Sequence, residues 1–278
     1  MKNIKIIMAM VLATLMALSI VGCSNVEDQT NIGDIEDELN LNEEMIVGNL
    51  EYAVNEAGNY EIVGFVYTGS KEVSATIPAK ISGRPVTGIG ADAFKSATLL
   101  ASVTFEEGCA IEYIGDFAFY GCELLKTVTI PASVKEIGEG AFWGCTALET
   151  VAMPESLETV GNYAFWGCKA LKSVDLPERE VVYNSDTKEY EGYLNIGEGA
   201  FFDCDALTEV TLPANTQTVG KGAFIYCDAL TSVIFKSADT ELGEGVFAGS
   251  DGVKITAPAE SKAATYAAAN GIELVAAQ

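Results

Sequence analysis

Seven phenylalanines, Phe94, Phe119, Phe142, Phe165, Phe201, Phe224 and Phe247, follow one another at intervals of 25, 23, 23, 36, 23 and 23 residues in a chain of 278. A near-constant period of this length marks a stack of small units, each too poor in apolar surface to stand alone. Every one of these rings has a glycine four positions earlier, from Gly90 and Gly115 to Gly220 and Gly243. Six positions later comes leucine, or Val253 in the last unit, and in six units valine follows at nine. Four units then close on an apolar residue and proline, so the unit reads Ile-Gly-x-x-Ala-Phe-x-x-Cys-x-x-Leu-x-x-Val-x-Ile-Pro.

Local chemistry assigns each part a place. The Leu-x-x-Val-x-Ile segment alternates with a period of two and is rich in β-branched residues, which predicts a short strand buried on one face. Proline ends it where no ladder donor is needed. Ala, Phe and Cys within four residues suit a single helical turn with one inward face, and the glycine permits a tight corner before it. The expectation is a solenoid of about seven coils of 23 residues, each with a short strand and a short helical turn, over residues 89–258. Residues 50–88 are expected to form an N-terminal β cap, with "LEYAV" and "YEIVGFV" as hairpin arms around Gly58. Residues 259–278 are expected to form a C-terminal cap: an Ala-rich helix opened by Pro258 and stopped at Asn270-Gly271, then the strand "IELV".

Written out in this way, the unit resembles the BspA-like leucine-rich-repeat proteins of bacterial surfaces over roughly residues 50–275. The resemblance implies an α/β leucine-rich-repeat solenoid with parallel strands, and an adhesin-like extracellular binding role. It says little about the ligand, because one scaffold presents many different surfaces.

Cys122, Cys145, Cys168, Cys204 and Cys227 all stand three residues after a repeat phenylalanine, where the first and last units carry Ala97 and Ser250. A position that accepts Cys, Ala or Ser calls for a small buried side chain. One thiol per coil also spreads the sulfurs along a line, unlike the convergent ligands of a zinc site. The column therefore reads as structural free thiols, with no metal and no cofactor. Cys109 lies outside it, in the two-residue insertion "EEGCAIEY", and reads as a thiol buried under a loop or as the one reactive cysteine.

The first 22 residues belong to none of these units. Lys2 and Lys5 precede an unbroken apolar run from Ile6 to Val21, which predicts an export signal. The run ends in Ile20-Val21-Gly22-Cys23, which resembles a bacterial lipobox, and the resemblance implies cleavage before Cys23 and a diacylglycerol on its thiol. Residues 23–49 then form an acidic tether, with eight acids and no Lys or Arg between residues 24 and 49. The mature chain would carry 14 basic and 40 acidic residues, a formal charge of −26. That balance argues against nucleic acid as a partner and leaves membrane attachment to the lipid.

Three surfaces are candidates for contact with an extracellular protein or glycan. The strand face presents small, hydroxyl-rich pairs such as Ser102/Thr104 and Thr127/Thr129, which also simply suit a crowded parallel sheet. Tyr120, Trp143, Trp166 and Phe202 each follow a repeat phenylalanine and would form an aromatic stripe, for ligand contact or for packing between coils. The interval of 36 places an insertion at residues 178–195, read as a protruding hairpin turning at Asn184-Ser185-Asp186, with Tyr183, Tyr190 and Tyr193 on it. The absence of histidine removes Ser-His and Cys-His nucleophile pairs, and no spacing selects a carboxylate pair, so the chain is not expected to be an enzyme. The expected function is a lipid-anchored, non-catalytic binding module at the cell surface. A structural envelope spacer without a ligand is the alternative, and a surface-polymer enzyme comes third.

Overall fold

The computed structural model describes residues 45–47 and 49–276. The signal segment, Cys23 and the tether as far as residue 44 lie outside the described residues. The repeat region is a solenoid of about nine turns, more than the seven phenylalanine-bearing units. The additional turns follow from pairing that starts before Phe94 and ends after Phe247: Tyr60–Phe65 is already parallel to Arg84–Ile89, Val73–Ile77 to Leu100–Phe105, and Glu273–Ala276 to Lys254–Ala257.

From Tyr113 onward each coil contributes one strand to each of two parallel sheets, while Val73–Ile77 and Leu100–Phe105 of the earlier coils form a parallel pair of their own. The first runs through Arg84–Ile89, Tyr113–Ile114, Glu136–Ile137, Thr159–Val160, Leu194–Ile196, Thr216–Val219 and Glu241–Leu242. It is extended at its start by antiparallel Met45–Val47, Leu50–Val54 and Tyr60–Phe65, the last two joined around Gly58. The second sheet has seven strands, from Thr127–Thr129 to Glu273–Ala276, and its register sets Val128, Val151, Val174, Val210, Val233 and Ile255 side by side. Between the sheets the repeat phenylalanines stack with centroid separations of 4.8, 5.1, 5.2, 5.3, 5.2 and 5.7 Å. Burying one such side chain is worth about 2–3 kcal/mol, so this column and the leucines beside it are the core.

The helical turns expected at the corners are absent, and the lone α-helix among the described residues is α1, Lys262–Asn270. Stacking is the reason. Around Phe142, the amides of Gly140, Phe142 and Gly144 donate to the carbonyls of Asn162, Ala164 and Trp166 in the next coil. Those between, on Ala141, Trp143 and Cys145, close short turns onto Gly138, Gly140 and Phe142. A helix would direct every amide along its own axis, whereas here every second donor is diverted to a neighbour. The alternation needs left-handed backbone two residues before and two after each phenylalanine. Glycine fills about half of these positions, and Asp92, Ser96, Phe117, Tyr163, Asp203 and Tyr226 fill the rest at φ of 54–60°.

The invariant glycine four residues before the ring has a different purpose from the corner turn expected of it. Gly161 has an ordinary φ, but a Cβ there would lie 2.6 Å from the carbonyl carbon of Gly138 in the preceding coil. From Gly115 to Gly243, a Cβ on any glycine of this column would lie 2.4–2.8 Å from backbone of the preceding coil.

At the C-terminus Ser261 caps α1 by accepting from the Ala264 amide at 3.0 Å, and Gly271, at φ 68°, ends it. The helix thus starts later than Pro258, whose carbonyl instead accepts from the Ser261 amide. Serine satisfies an orphan helix amide that proline has no side-chain acceptor to meet. The stack resumes after the insertion, with Val174 paired to Val210 and Val160 to Ile196, and a register shift between Leu194 and Asn195 marks where the chain re-enters it.

Candidate binding surfaces

Tyr120, Trp143, Trp166 and Phe202 lie in one line across successive coils. Trp143 and Trp166 stack at 4.3 Å with 9° between planes, Tyr120 meets Trp143 edge-on at 5.6 Å, and Phe202 tilts against Trp166 at 4.6 Å. Three further rings join them that the position after phenylalanine does not indicate. Phe117 approaches Trp143 at 6.3 Å, Tyr163 approaches Trp166 at 5.4 Å, and Tyr226 meets Phe202 edge-on at 5.4 Å. Their signal in the sequence was an aromatic residue where sister units carry glycine. These three occupy the left-handed positions, and each ring lies over the next coil's glycine: a Cβ at Gly140, Gly199 or Gly249 would sit 2.4–2.6 Å from the ring of Phe117, Tyr163 or Tyr226.

The seven rings form a continuous half-buried ladder, with only Tyr226 largely exposed. The geometry limits what it can offer. The faces of Trp143 and Trp166 are covered by each other and by neighbouring rings, so the ladder presents ring edges outward rather than a platform for a sugar. At one end the Lys95 ammonium lies 5.6 Å from the Phe117 centroid and 5.8 Å from that of Tyr120, a cation–π arrangement. The Tyr163 hydroxyl donates to Glu198 Oε1 at 3.0 Å, a bond that an ionised phenolate would lose, and this raises its pKa.

The insertion is an antiparallel hairpin of Val182–Asn184 and Glu189–Glu191. Asn184 Oδ1 accepts from the amides of Asp186 and Thr187 and shapes the turn. Tyr183 and Tyr190 form a cross-strand pair at 5.1 Å, exposed by 55% and 62%. Tyr193 stands apart from that pair, half-buried at the hairpin base. The base is fastened by Arg179, which donates to the carbonyls of Gly192 at 3.0 Å and Ser156 at 3.3 Å, while Asn215 donates to Gly192 at 2.9 Å.

The strand-face hydroxyls bond partly to one another. Ser102 Oγ donates to Ser74 Oγ at 2.7 Å, and the hydroxyls of Thr76 and Thr104 lie 3.1 Å apart. On that pair of strands the hydroxyls are sheet chemistry.

The five column cysteines are buried free thiols, each directed at the carbonyl of the repeat phenylalanine one coil earlier. Cys122, Cys145, Cys168, Cys204 and Cys227 reach Phe94, Phe119, Phe142, Phe165 and Phe201 at 3.1–3.3 Å. Ser250 repeats the bond to Phe224 at 2.8 Å, which explains why serine is admitted there. Burial pushes Cys145, Cys168 and Cys204 well above the ordinary thiol value and Cys227 up to about 12. Cys109 is half-buried, 3.7 Å from the Ile77 carbonyl, and burial raises its pKa too, so it rests as a thiol and not as a reactive thiolate.

A family model described as "BspA type Leucine rich repeat region" matches the chain in six copies over residues 67–186 and 180–270. Among solved structures, the T. pallidum leucine rich repeat protein TpLRR is 26% identical with a TM-score of 0.65, over 84% of this chain and 100% of that one. A leucine-rich repeat protein from Bacteroides ovatus is 21% identical with a TM-score of 0.46, over 77% and 70% of the two chains. The pneumococcal vaccine antigen PcpA is 16% identical with a TM-score of 0.31, over 84% and 98%. No curated protein matches.

Proposed function

Because the chain belongs to the BspA-type leucine-rich-repeat family, we propose that it is a non-catalytic binding module. It is held outside the cytoplasm by a lipid on Cys23 and engages an extracellular protein or glycan through the inserted hairpin and the aromatic ladder. The observation that carries this reading is the exposure of Val182, Tyr183 and Tyr190, at 49%, 55% and 62%, on a hairpin outside the repeat. These side chains lie outside the repeat, whose strand pairing resumes on both sides of the insertion. Tyrosine is also among the residues that most often carry interface energy.

The test is a binding screen of the full chain against extracellular-matrix proteins and a glycan panel, beside the double variant Tyr183→Ala/Tyr190→Ala. The variant is expected to unfold at the same temperature and to bind at least about tenfold more weakly, the loss of one modest hot spot. Unchanged binding would remove the hairpin from the contact, and a wild-type chain that binds nothing would favour the spacer. Anchoring is tested separately: Cys23→Ala should abolish incorporation of labelled fatty acid and release the protein from membranes. Acylation that persists in this variant would defeat the assignment.

A further inference from the structure

The hairpin also forms one wall of a cleft of about 670 Å³, within the range of small-molecule sites. Tyr190 lines it from the hairpin and Tyr193 from the hairpin base. Its floor is the first sheet, where Thr159, Asn195 and Gln217 come from three successive strands. A second cleft of about 320 Å³ shares Thr159 and Asn195 and continues along the same sheet to Asn162, beside Tyr163 of the ladder. Through these shared residues the two together make one groove along the sheet.

The chemistry of the groove narrows the occupant. The side chains of Lys135, Gln217 and Glu189 have no hydrogen-bond or ion-pair partner among the described residues, and Asn195 uses only its Oδ1, which accepts from Thr218 at 2.9 Å. Amide, hydroxyl and ammonium groups that are both free and paired with tyrosine rings suit a ligand covered in hydroxyls. A polar floor does not suit an acyl chain. Glu189 and Glu191 outnumber Lys135 in the larger cleft, where Glu158 pairs with Arg179 at 3.4 Å, and Asp116, Glu136 and Glu139 line the smaller one, so phosphate, sulfate and uronate are repelled. We infer that the groove between the hairpin and the first sheet is a binding site for an extended neutral oligosaccharide, with a tyrosine ring against a sugar face and Asn195 and Gln217 bonded to its hydroxyls. This rests on the binding-module reading and assigns its ligand class.

The experiment titrates the full chain with maltohexaose, mannohexaose and chitohexaose and, in parallel, with a lysine-rich peptide and with any protein ligand from the screen above. At least one oligosaccharide is expected to bind. Gln217→Ala, a change at an exposed side chain, and Tyr190→Ala should each weaken binding at least tenfold without altering thermal unfolding. Failure of all three sugars to bind, or binding indifferent to both substitutions, overturns the site. Binding of the peptide alone, lost on Glu189→Gln, replaces the sugar with a basic peptide. A protein ligand lost with Tyr183→Ala but untouched by Gln217→Ala also overturns this inference, while leaving the hairpin as the contact of a binding module.

Discussion

Phe165→Ala is expected to lower the unfolding free energy by about 3–5 kcal/mol, the cost of emptying a large buried aromatic site. The ring stands mid-column, stacked on Phe142 at 5.2 Å and on Phe201 at 5.3 Å, so both neighbours lose a partner. Total stabilities of 5–15 kcal/mol are usual, which makes this a large fraction of the whole. In a solenoid, cohesion passes from coil to coil, so a gap in the middle should also separate the unfolding of the two halves. Urea denaturation followed by circular dichroism checks both effects. Phe247→Ala at the end of the column, stacked on Phe224 alone at 5.7 Å and edge-on to Tyr266 at 6.1 Å, should cost less and leave a single transition. Equal losses at the two sites would show that the column does not act as a chain of neighbours.

The second large effect is alkaline. Cys145, Cys168, Cys204 and Cys227 have folded-state pKa values raised by burial above the ordinary thiol value of 9.0. A raised folded value means that the folded chain holds protons which the unfolded chain releases. The stabilisation is thus complete below the unfolded value and is lost as pH rises through it toward the folded one. From pH 9 to pH 10 each thiol should cost about 1 kcal/mol, or about 4 kcal/mol for the four. Tyr113, pushed up to about 12, adds to the loss at higher pH, so the lower window reads the thiols. Urea midpoints measured under reducing conditions at pH 8, 9 and 10 should fall steeply. A variant with all four cysteines replaced by serine, the residue already accepted at Ser250, should remove most of that slope. A stability flat from pH 9 to pH 10 would mean that the thiols are not sealed from water.

Much of this molecule is legible in one line of sequence. Phenylalanine, leucine and valine recur because each coil must present the same apolar face to the next, and that demand prints itself at a fixed interval. The conformation of the corner does not appear there. Ala-Phe-x-x-Cys has the spacing of a helical turn, and what prevents one is the acceptor row of the next coil, met by alternate amides such as those of Phe142 and Gly144. Propensity lost to a partner distant in sequence. The same distance hid three of the seven rings of the aromatic ladder. Phe117, Tyr163 and Tyr226 sit at left-handed positions that sister units give to glycine, and only the stacking of coils brings those rings over Gly140, Gly199 and Gly249.

The sequence alone determined the stacking period, the inward columns of phenylalanine, leucine, valine and cysteine, and the place where an insertion interrupts them. Each of these depends on residue type at a fixed local interval. Tertiary structure decided the path of the backbone at the corners, the covering of the tryptophan faces by neighbouring rings, and the groove that the hairpin makes with Thr159, Asn195 and Gln217. Those arise from contacts between coils, where the separation is a few ångströms in space but 22 or more residues along the chain, and no local pattern records which side chains will meet across it.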